Sequence, residues 1–523
     1  MITNMNEGRL KNSIRNVFGA LINKATAIIF PFIIRTIILY YLGTEYAGLS
    51  SLFTSVLQIL SLSELGIGSA IVFSMYKPIA EGNNAEINAL LKLYRKFYCI
   101  IGMVILLVGI TLIPLIPRLI NGTYPHDINL YVLYLIYLSN TVISYFLFAY
   151  KASILNAFQR SDIESNLTTL INTGMYILQI ITLIIFKNYY IYIIWLPIAT
   201  IFINVIRSFI VNKQYPKIHC AGEVSQEVKQ DIFKRVGALI GHQLSGTINC
   251  SLDNIVVSAF LGLKVVAQYG NYYYVVSALS GVMQVTFNAL TASIGNSLIK
   301  ESKEKNLSDF YDLQYINNWI VGWMCITMLC IYQDFMKLWA GDNLLLTFDI
   351  VILFVIYFYS WQIRRTVLTY KNACGMWWAD KVKPYASVVT NLILNFSLVQ
   401  VCGIYGVMLS TIVCYVFIEA PWETHALFKE YFKQGTEKYW KSQLMYILLI
   451  IALMIVTFGT CECIKINGIL SVLVKGVICA ILPNVLWILC TFKSNRFKRV
   501  QIVVKKIVKK LIIEFSRLFK NRY

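Results

Sequence analysis

Two cations lie within the first long apolar segment of the chain, where a charged side chain is costly. Lys24 and Arg35 are eleven residues apart, which corresponds to three helical turns and places both on one face of a helix. A charge at the centre of a bilayer costs roughly 2.5–3.5 kcal/mol on insertion scales, so this face should meet water or polar partners. Pro31 lies between the two cations, cannot donate to the helical hydrogen-bond ladder, and is expected to bend the helix. The pattern therefore predicts a cationic, water-filled cavity beside this helix.

Polar residues recur at helical spacing in two later apolar segments. One stripe, with offsets of 0, 3, 7 and 11 residues, comprises His242, Ser245, Asn249 and Asp253. A second stripe, in the next segment, comprises Gln284, Asn288 and Thr291. Glu64 adds an acid to the second apolar segment, just before two glycines that permit close helix approach. The residues predicted to line the cavity are Lys24, Arg35, Glu64, His242, Asn249, Asp253, Gln284 and Asn288.

The same charges also have a structural interpretation. Lys24 with Glu64, or Arg35 with Asp253, would form buried ion pairs that fix the register of the helices. The acids are too few to neutralise every base, which favours the cavity for the two cations. For the two acids both interpretations stay open. His242 alone is weak evidence for a proton relay, because a buried histidine is more often a hydrogen-bonded residue of the core.

The composition identifies an all-α polytopic membrane protein. Hydrophobic residues make up 58% of the 523 residues, charged residues only 14%, and the mean hydropathy is +0.64. A spanning helix needs roughly 20 apolar residues, and the first apolar run is too long for a cleavable signal peptide. About fourteen spans are predicted, at 14–42, 47–75, 97–117, 130–150, 167–186, 190–211, 236–261, 265–296, 314–336, 344–363, 385–401, 403–424, 442–463 and 467–491.

The basic residues predict the orientation of these spans. Cytoplasmic loops hold the excess of Lys and Arg, and most of the 46 basic residues lie in alternate segments that would be cytoplasmic if both termini are. The predicted outer loops contain only Arg118, Lys187, Lys264, Lys337 and Lys465. The net charge of +20 is therefore mainly a topology signal, and nucleic acid is excluded as a partner. Residues 492–523 are predicted to form a basic amphipathic tail that lies against anionic lipids.

The twelve cysteines form no Cys-x-x-Cys pair, and most lie inside apolar segments. We interpret them as small buried residues of the core, and we expect no metal and no cofactor.

An internal repeat suggests two related halves. Val17 to Gly43 and Val236 to Gly262 both begin on similar apolar sequence, both end on Leu-Gly, and both span the same number of residues. Six predicted helices separate the copies, so both would cross the membrane in the same direction, as in transporters whose substrate site lies between repeats. The predicted organisation is a six-helix lobe at 1–211, a cytoplasmic linker at 212–235, a second six-helix lobe at 236–432, helices thirteen and fourteen at 433–491, and the tail at 492–523.

Four segments resemble one family of transporters. They are YLGTEYAGLSSLF at 41–53, LSLSELGIGSA at 60–70, LDNIVVSAFLG at 252–262 and QYGNY at 268–272. Together they resemble the bacterial polysaccharide (Wzx-type) flippases, which belong to one exporter superfamily with the lipid II flippases and the multidrug and toxin extruders. The resemblance covers essentially the whole chain, although its motifs are loose and apolar.

The resemblance implies a multi-pass transporter of the bacterial plasma (inner) membrane, not an enzyme. It implies two six-helix lobes around a cationic cavity, and alternating access that moves undecaprenyl-pyrophosphate-linked oligosaccharide to the outer leaflet for surface polysaccharides such as O-antigen. Lys24 and Arg35 would bind the pyrophosphate, while Asn249, Gln284 and Asn288 would bond sugar hydroxyls. Membrane lipids, a polysaccharide polymerase and glycosyltransferases are the expected partners of a monomer, with coupling to an ion gradient or the membrane potential.

Two alternatives remain at this stage. The first is an ion-coupled multidrug extruder of the same fold, with Asp253 or Glu64 as its cation site. The second is a membrane polysaccharide polymerase or acyltransferase, for which His126 and Asp127 in the longest outer loop are a thin basis.

The predicted topology can be tested with reporter fusions. External positions should be Gly43, Gly122, Lys264 and Gly341, and internal positions Lys77, Gly222 and Lys303. We expect a periplasmic phosphatase reporter to be active only at the first set and a cytoplasmic fluorescent reporter only at the second. One reproducibly inverted site would contradict the fourteen-span count.

Overall fold

The computed structural model describes residues 2–61, 66–502 and 505, of which 2–18, 20, 21, 235, 238–240, 242, 250 and 292 are described by their backbone alone. None of these residues lies in a β-strand, which confirms the all-α class. The first helices are α1 (Ile2–Tyr41), α2 (Thr44–Leu60), α3 (Ile67–Glu81), α4 (Asn84–Leu112), α5 (Leu130–Phe146), α6 (Ala152–Ala157), α7 (Ser161–Phe186), α8 (Tyr189–Ile193), α9 (Trp195–Gln214) and α10 (Gln226–Leu261). The later ones are α11 (Leu263–Lys300), α12 (Lys303–Ala340), α13 (Phe348–Gln362), α14 (Arg365–Ala373), α15 (Lys383–Cys402), α16 (Ile404–Val413), α17 (Ala420–Leu427), α18 (Glu437–Glu462) and α19 (Ile469–Thr491). Short 3-10 segments at Ile113–Leu119, Ala149–Lys151 and Asp342–Leu344, and π-helical segments at Cys414–Glu419 and Phe428–Phe432, join some of them.

Twelve of the helices in the described part of the chain are long and apolar enough to cross a membrane. A thirteenth span results if α5 and α6, which are bent by 50°, are counted as one. The predicted second span falls on α2 and α3, and residues 62–65 between them lie outside the described residues. The protein is therefore a multi-pass membrane protein, and the count of fourteen stays a prediction.

Helix α4 begins well before its predicted span. Asn83 caps it by accepting a hydrogen bond from the backbone N–H of Glu86 at 3.2 Å, and its amide in turn donates to the Glu86 carboxylate at 3.1 Å. This capping arrangement satisfies donors that the first helical turn leaves unpaired. The basic residues from Lys92 to Lys96 therefore lie on a helix and not in a loop.

The chain divides into two compact units, each described here by itself. Unit 1 comprises Met1–Gly281 and Lys381–Thr411, and unit 2 comprises Val282–Asp380 and Ile412–Tyr523. The boundary between the two units falls within α11, between Gly281 and Val282. The units therefore differ from the predicted repeat lobes, and those lobes stay a prediction.

The two ends of the proposed repeat have the same backbone conformation. Gly43 after α1 has φ and ψ of 112° and 179°, and Gly262 after α10 has 86° and 170°. Positive φ favours glycine because a Cβ would clash with the backbone. A Cβ at Gly262 would also lie 2.7 Å from the carbonyl oxygen of Asn121. The matched Leu-Gly sequences thus correspond to matched turns.

In unit 2, α12 packs against α18 through buried amides and a glycine. The Gln443 side chain accepts from Gln314 at 3.0 Å and donates to Asn318 at 2.7 Å and to Tyr359 at 2.9 Å. A Cβ at Gly322 would lie 2.7 Å from the Ile450 side chain. Such close approach and interhelical hydrogen bonding are typical of helix association in membranes, where lipid competes equally for apolar contact.

The prediction that Arg364 begins a loop is wrong. Arg364 lies between α13 and α14 and Arg365 begins α14; they are 5% and 8% exposed and lie within a candidate span at Phe348–Ala373. Arg364 donates to both carboxylate oxygens of Glu423 at 2.9 and 2.7 Å and also pairs with Glu419. Two acids one turn apart neutralise the arginine, which lets the helical segment continue into a buried region.

Replacing Arg364 should therefore destabilise the protein strongly. Arg364→Met leaves Glu419 and Glu423 buried without a cation and should lower the free energy of unfolding by about 3–5 kcal/mol. The matched control is Lys337→Met, which removes an exposed ion pair with Asp342 and should change it by less than about 1 kcal/mol. Thermal melting in detergent measures both. Adding Glu419→Gln and Glu423→Gln to Arg364→Met should recover much of the loss, and equal melting of the two single variants would contradict the assignment.

Candidate functional site

Arg35 lies on α1 and is held by neutral oxygens of unit 1. Its guanidinium donates to the Asn271 side chain at 2.5 Å, to the Ser51 hydroxyl at 3.2 Å and to the Ala267 carbonyl at 3.2 Å. Asn271 and Ala267 both lie on α11, and Ser51 lies on α2. Among the described residues, no carboxylate contacts Arg35. Its positive charge therefore has no counter-charge among them.

A cavity of about 320 Å³ opens beside Arg35 within unit 1. It is lined by Pro31, Ile34, Arg35, Ile38, Ala47, Ser50, Thr54, Tyr137, Met175, Tyr176, Gln179, Tyr192, Leu196 and Tyr274. Arg35 is the single charged residue in this lining, and tyrosines are its commonest side chain. Of the predicted cavity residues that the structure describes, Arg35 is the one in this lining, and the tyrosines were not foreseen.

Several tyrosine hydroxyls of this region form hydrogen bonds. Tyr137 lies 3.1 Å from the Tyr189 hydroxyl and donates to Ser50 at 3.3 Å, while Tyr274 on α11 donates to the Ile28 carbonyl of α1. These contacts fix the rings, so that apolar faces and hydroxyls are presented in set positions around the guanidinium.

Lys24 lies on the same helix but does not line this cavity. Eleven residues separate it from Arg35, about 16 Å along a helix axis at 1.5 Å per residue, and no partner of its ammonium is found among the described residues. Since a pyrophosphate spans far less than that, one pyrophosphate could contact both cations only if their side chains extended toward each other along the helix. The structure separates the two residues that the sequence analysis assigned to a single ligand.

Each of these cations lies against a glycine of α11. A Cβ at Gly270 would lie 2.7 Å from the guanidinium of Arg35, and a Cβ at Gly281 would lie 2.4 Å from Cε of Lys24. The two glycines are eleven residues apart, like the two cations, and the order is reversed because the helices are antiparallel. Glycine at these positions makes room for a long basic side chain between two helices.

The proposed ion pair between Arg35 and Asp253 is wrong. Asp253 on α10 is fully buried, and its carboxylate accepts hydrogen bonds from Tyr269 at 3.0 Å, Thr411 at 3.3 Å and Asn395 at 3.4 Å. Each of the two side chains has other partners. Helical spacing placed them at matching positions of the repeat but did not determine which neighbouring helices they face.

A polar stripe on α15 completes the surroundings of Asp253. Ser387, Asn391 and Asn395 recur every four residues and are fully buried. Asn395 donates to Asn391 at 3.0 Å, Asn391 donates to Thr411 at 3.1 Å, and the carbonyl oxygen of Asn395 has no partner among the described residues. This stripe was not predicted, although polar residues at a spacing of four are a pattern that the sequence shows.

The remaining predicted cavity residues do not lie together. Asn249 is buried in unit 1 and donates to Ser387 at 3.1 Å. Gln284 and Asn288 belong to unit 2, where Gln284 donates to Asn288 at 2.9 Å and accepts from Arg365, a residue that the sequence analysis did not select. Glu64 and the side chain of His242 lie outside the described residues, so the predicted pair of Lys24 with Glu64 stays a prediction.

Comparison with solved structures identifies the fold. A lipid II flippase, MurJ, in an inward closed conformation aligns with a TM-score of 0.63 at 15% identity, covering 92% of this chain and 98% of that one. An inward-facing multidrug resistance MATE family transporter of the MOP superfamily gives 0.56 at 14% identity, covering 78% and 97%. The Vibrio cholerae MATE transporter VcmN in the bent form gives 0.52 at 15% identity, covering 83% and 98%. At these identities the likeness shows the fold alone.

The family is shown by the sequence itself. No curated protein matches the chain. The family model for polysaccharide biosynthesis proteins, however, matches residues 13–291, more than half of the chain. This match shows that the chain belongs to the polysaccharide biosynthesis protein family.

Proposed function

We propose that the protein is a flippase for undecaprenyl-pyrophosphate-linked oligosaccharide, which it moves from the cytoplasmic to the outer leaflet by alternating access for surface polysaccharide synthesis. The observation that carries this proposal is the guanidinium of Arg35 in a cavity whose lining contains no acid. Membership of the polysaccharide biosynthesis family and a fold like that of a lipid II flippase support it.

Arg35 has the chemistry to bind a pyrophosphate. A guanidinium forms bidentate, charge-assisted hydrogen bonds with phosphate oxygens, and these are stronger in a cavity of low dielectric than in water. Its present partners are neutral oxygens, which a doubly charged ligand can replace at modest cost. A cation already neutralised by a carboxylate, such as Arg364, would gain less.

The cavity is suited to the part of the substrate next to the pyrophosphate. Its volume of about 320 Å³ is at the lower end of small-ligand pockets, so it holds a pyrophosphate and an adjoining sugar but not a long glycan. Tyr137, Tyr176, Tyr192 and Tyr274 offer apolar ring faces and hydroxyls to a sugar ring.

The cluster around Asp253 is the proposed site of the coupling cation. A buried carboxylate surrounded by neutral oxygens attracts a proton or a hard monovalent cation, which is bound by oxygen ligands. Rotation of the Asn395 amide would present its unpartnered oxygen beside Asp253. Binding of the cation would link an ion gradient to the change of access.

The multidrug extruder is the second candidate, and the Asp253 cluster is the observation that favours it. The substrates of a multidrug extruder are commonly cations, which Arg35 would repel from a cavity lined by no acid.

A polymerase or acyltransferase is the weakest candidate, because Asp127 accepts a hydrogen bond from the Tyr46 hydroxyl at 2.5 Å. A polymerase and glycosyltransferases remain proposed partners of a monomeric flippase.

Removal of Arg35 tests the substrate site. Arg35→Ala should reduce export of lipid-linked glycan at least tenfold, because a charge-assisted contact to a doubly charged ligand contributes roughly 2–5 kcal/mol. Arg35→Lys should retain part of the activity, since it keeps the charge and loses the bidentate geometry. Export is measured as surface glycan in cells, normalised to protein level, with exposed Arg118→Ala as the control.

Two further variants sharpen this test. Because Arg35 and Asp253 have separate partners, Arg35→Ala combined with Asp253→Ala should not restore export. Lys24→Ala should weaken export less than Arg35→Ala. Normal export by a stably expressed Arg35→Ala variant would refute the proposal for this cavity.

A carboxylate exchange tests the cation site. Asp253→Asn should abolish the dependence of flipping on an imposed Na⁺ or proton gradient in proteoliposomes. Asp253→Asn with Asn395→Asp returns one carboxylate to the same cluster and should restore part of that dependence, because the charge has moved by one contact. Gradient dependence equal to wild type in Asp253→Asn would exclude this cluster as the coupling site.

A further inference from the structure

Three cysteines from distant parts of the chain meet inside unit 2. Cys330 lies on α12, Cys461 on the last turn of α18 and Cys479 in the middle of α19. Their exposures are 6%, 0% and 0%, and their three sulfur atoms all lie within 4.8 Å of one another. The sequence analysis interpreted these residues separately as small apolar side chains, because their positions along the chain gave no sign that they converge.

The convergence distinguishes these cysteines from other buried ones. Cys325 lies on the same helix as Cys330 and is equally buried, yet its sulfur is directed to the Val355 carbonyl at 3.9 Å. The three cysteines belong to a buried apolar core of unit 2 that also includes Ile326, Leu453 and Trp487. A rigid apolar shell holds soft ligands at fixed positions and excludes water from them.

We propose that Cys330, Cys461 and Cys479 form a binding site for one Cu(I) ion, coordinated by the three sulfur atoms. Three sulfurs about 2.3 Å from a common ion lie about 4.0 Å apart when the arrangement is trigonal, which requires only a small contraction of the cluster. Soft thiolates select Cu(I) and Zn(II) among common metals. Structural Zn(II) sites have four protein ligands, whereas this group has three in the part of the chain that the structure describes.

The charge of the bound site is small and has a nearby counter-charge. Cu(I) forms two bonds to thiolates and one to a neutral thiol, two protons leave to solvent, and the oxidation states of copper and sulfur do not change. The complex then carries one negative charge. Lys475 lies one turn before Cys479 on α19, and its carboxylate partner Asp334, at 2.8 Å, is the more exposed of the pair, with 32% against 10% exposed. The lysine charge is therefore less screened by water than that of its partner.

The position of the cluster suggests what the ion would do. A bound ion would join α18 and α19, the two helices outside the predicted repeat, to α12. Metal–sulfur bonds are far stronger than side-chain packing. Cys461 lies next to the end of α18 at Glu462.

Metal binding to the full-length protein tests this proposal. The reduced protein in lipid nanodiscs, without oxygen, is titrated with Cu(I) in competition with a Cu(I)-specific chelator. Wild type and the Cys325→Ser control should bind one Cu(I) tightly. Cys330→Ser, Cys461→Ser and Cys479→Ser should each weaken binding at least tenfold. X-ray absorption of the wild-type complex should give three sulfur neighbours at about 2.3 Å.

A measurement without variants guards against misfolding of the mutants. Wild type with and without bound copper is alkylated in its native state over a time course. Mass spectrometry should find that copper slows the labelling of Cys330, Cys461 and Cys479 and leaves that of Cys325 unchanged. Equal Cu(I) binding by wild type and the triple serine variant would overturn the proposal. So would a copper shell with two sulfurs, or a disulfide between any two of the three in protein purified under reductant.

Discussion

A charged side chain in the low-dielectric interior of a membrane protein needs either a counter-charge or access to water. Within unit 2, Arg364 has Glu419 and Glu423, and Lys475 has Asp334. Within unit 1, Arg35 has no counter-charge among the described residues, and it faces an open cavity with only neutral oxygens as partners. The difference separates cations that hold helices together from a cation that is available to a ligand.

Asp253 presents the same constraint with the sign reversed. It is fully buried, and three neutral donors stabilise it in place of a cation. Neutral hydrogen bonds offset only part of the cost of burying a full charge, so such a carboxylate has a strong tendency to take up a cation. A fixed cation and a fixed anion that do not neutralise each other, in one unit, are the elements that a gradient-coupled carrier of an anionic substrate requires.

Hydropathy was sufficient to predict the fold class and most of the helices, since a spanning helix is determined by about twenty consecutive residues. The Leu-Gly repeat was also visible, because two positive-φ turns need glycine at Gly43 and Gly262. The buried segment at Arg364 was not predictable from its neighbourhood. Its partner Glu423 lies 59 residues further on, and only the tertiary structure brings the two together.

The candidate site was predicted only in part, because here too the tertiary structure determines which residues meet. Periodicity placed Arg35 and Asp253 on polar faces but could not determine which helices those faces meet. The partners of Asp253 on α15 had a readable spacing, whereas the tyrosines around Arg35 come from several helices and share no local pattern. Cys330, Cys461 and Cys479 show the limit clearly, because three single residues on three helices carry no periodic signal.

The glycines opposite the two cations have a consequence for the placement of those charges. At Gly270 and Gly281 an added methyl group would meet the flexible ends of Arg35 and Lys24, and not a backbone atom. A change to alanine would therefore redirect a charge by an ångström or more while the helices keep their spacing. Each glycine is therefore a position at which a single mutation can move a positive charge without changing how the helices pack.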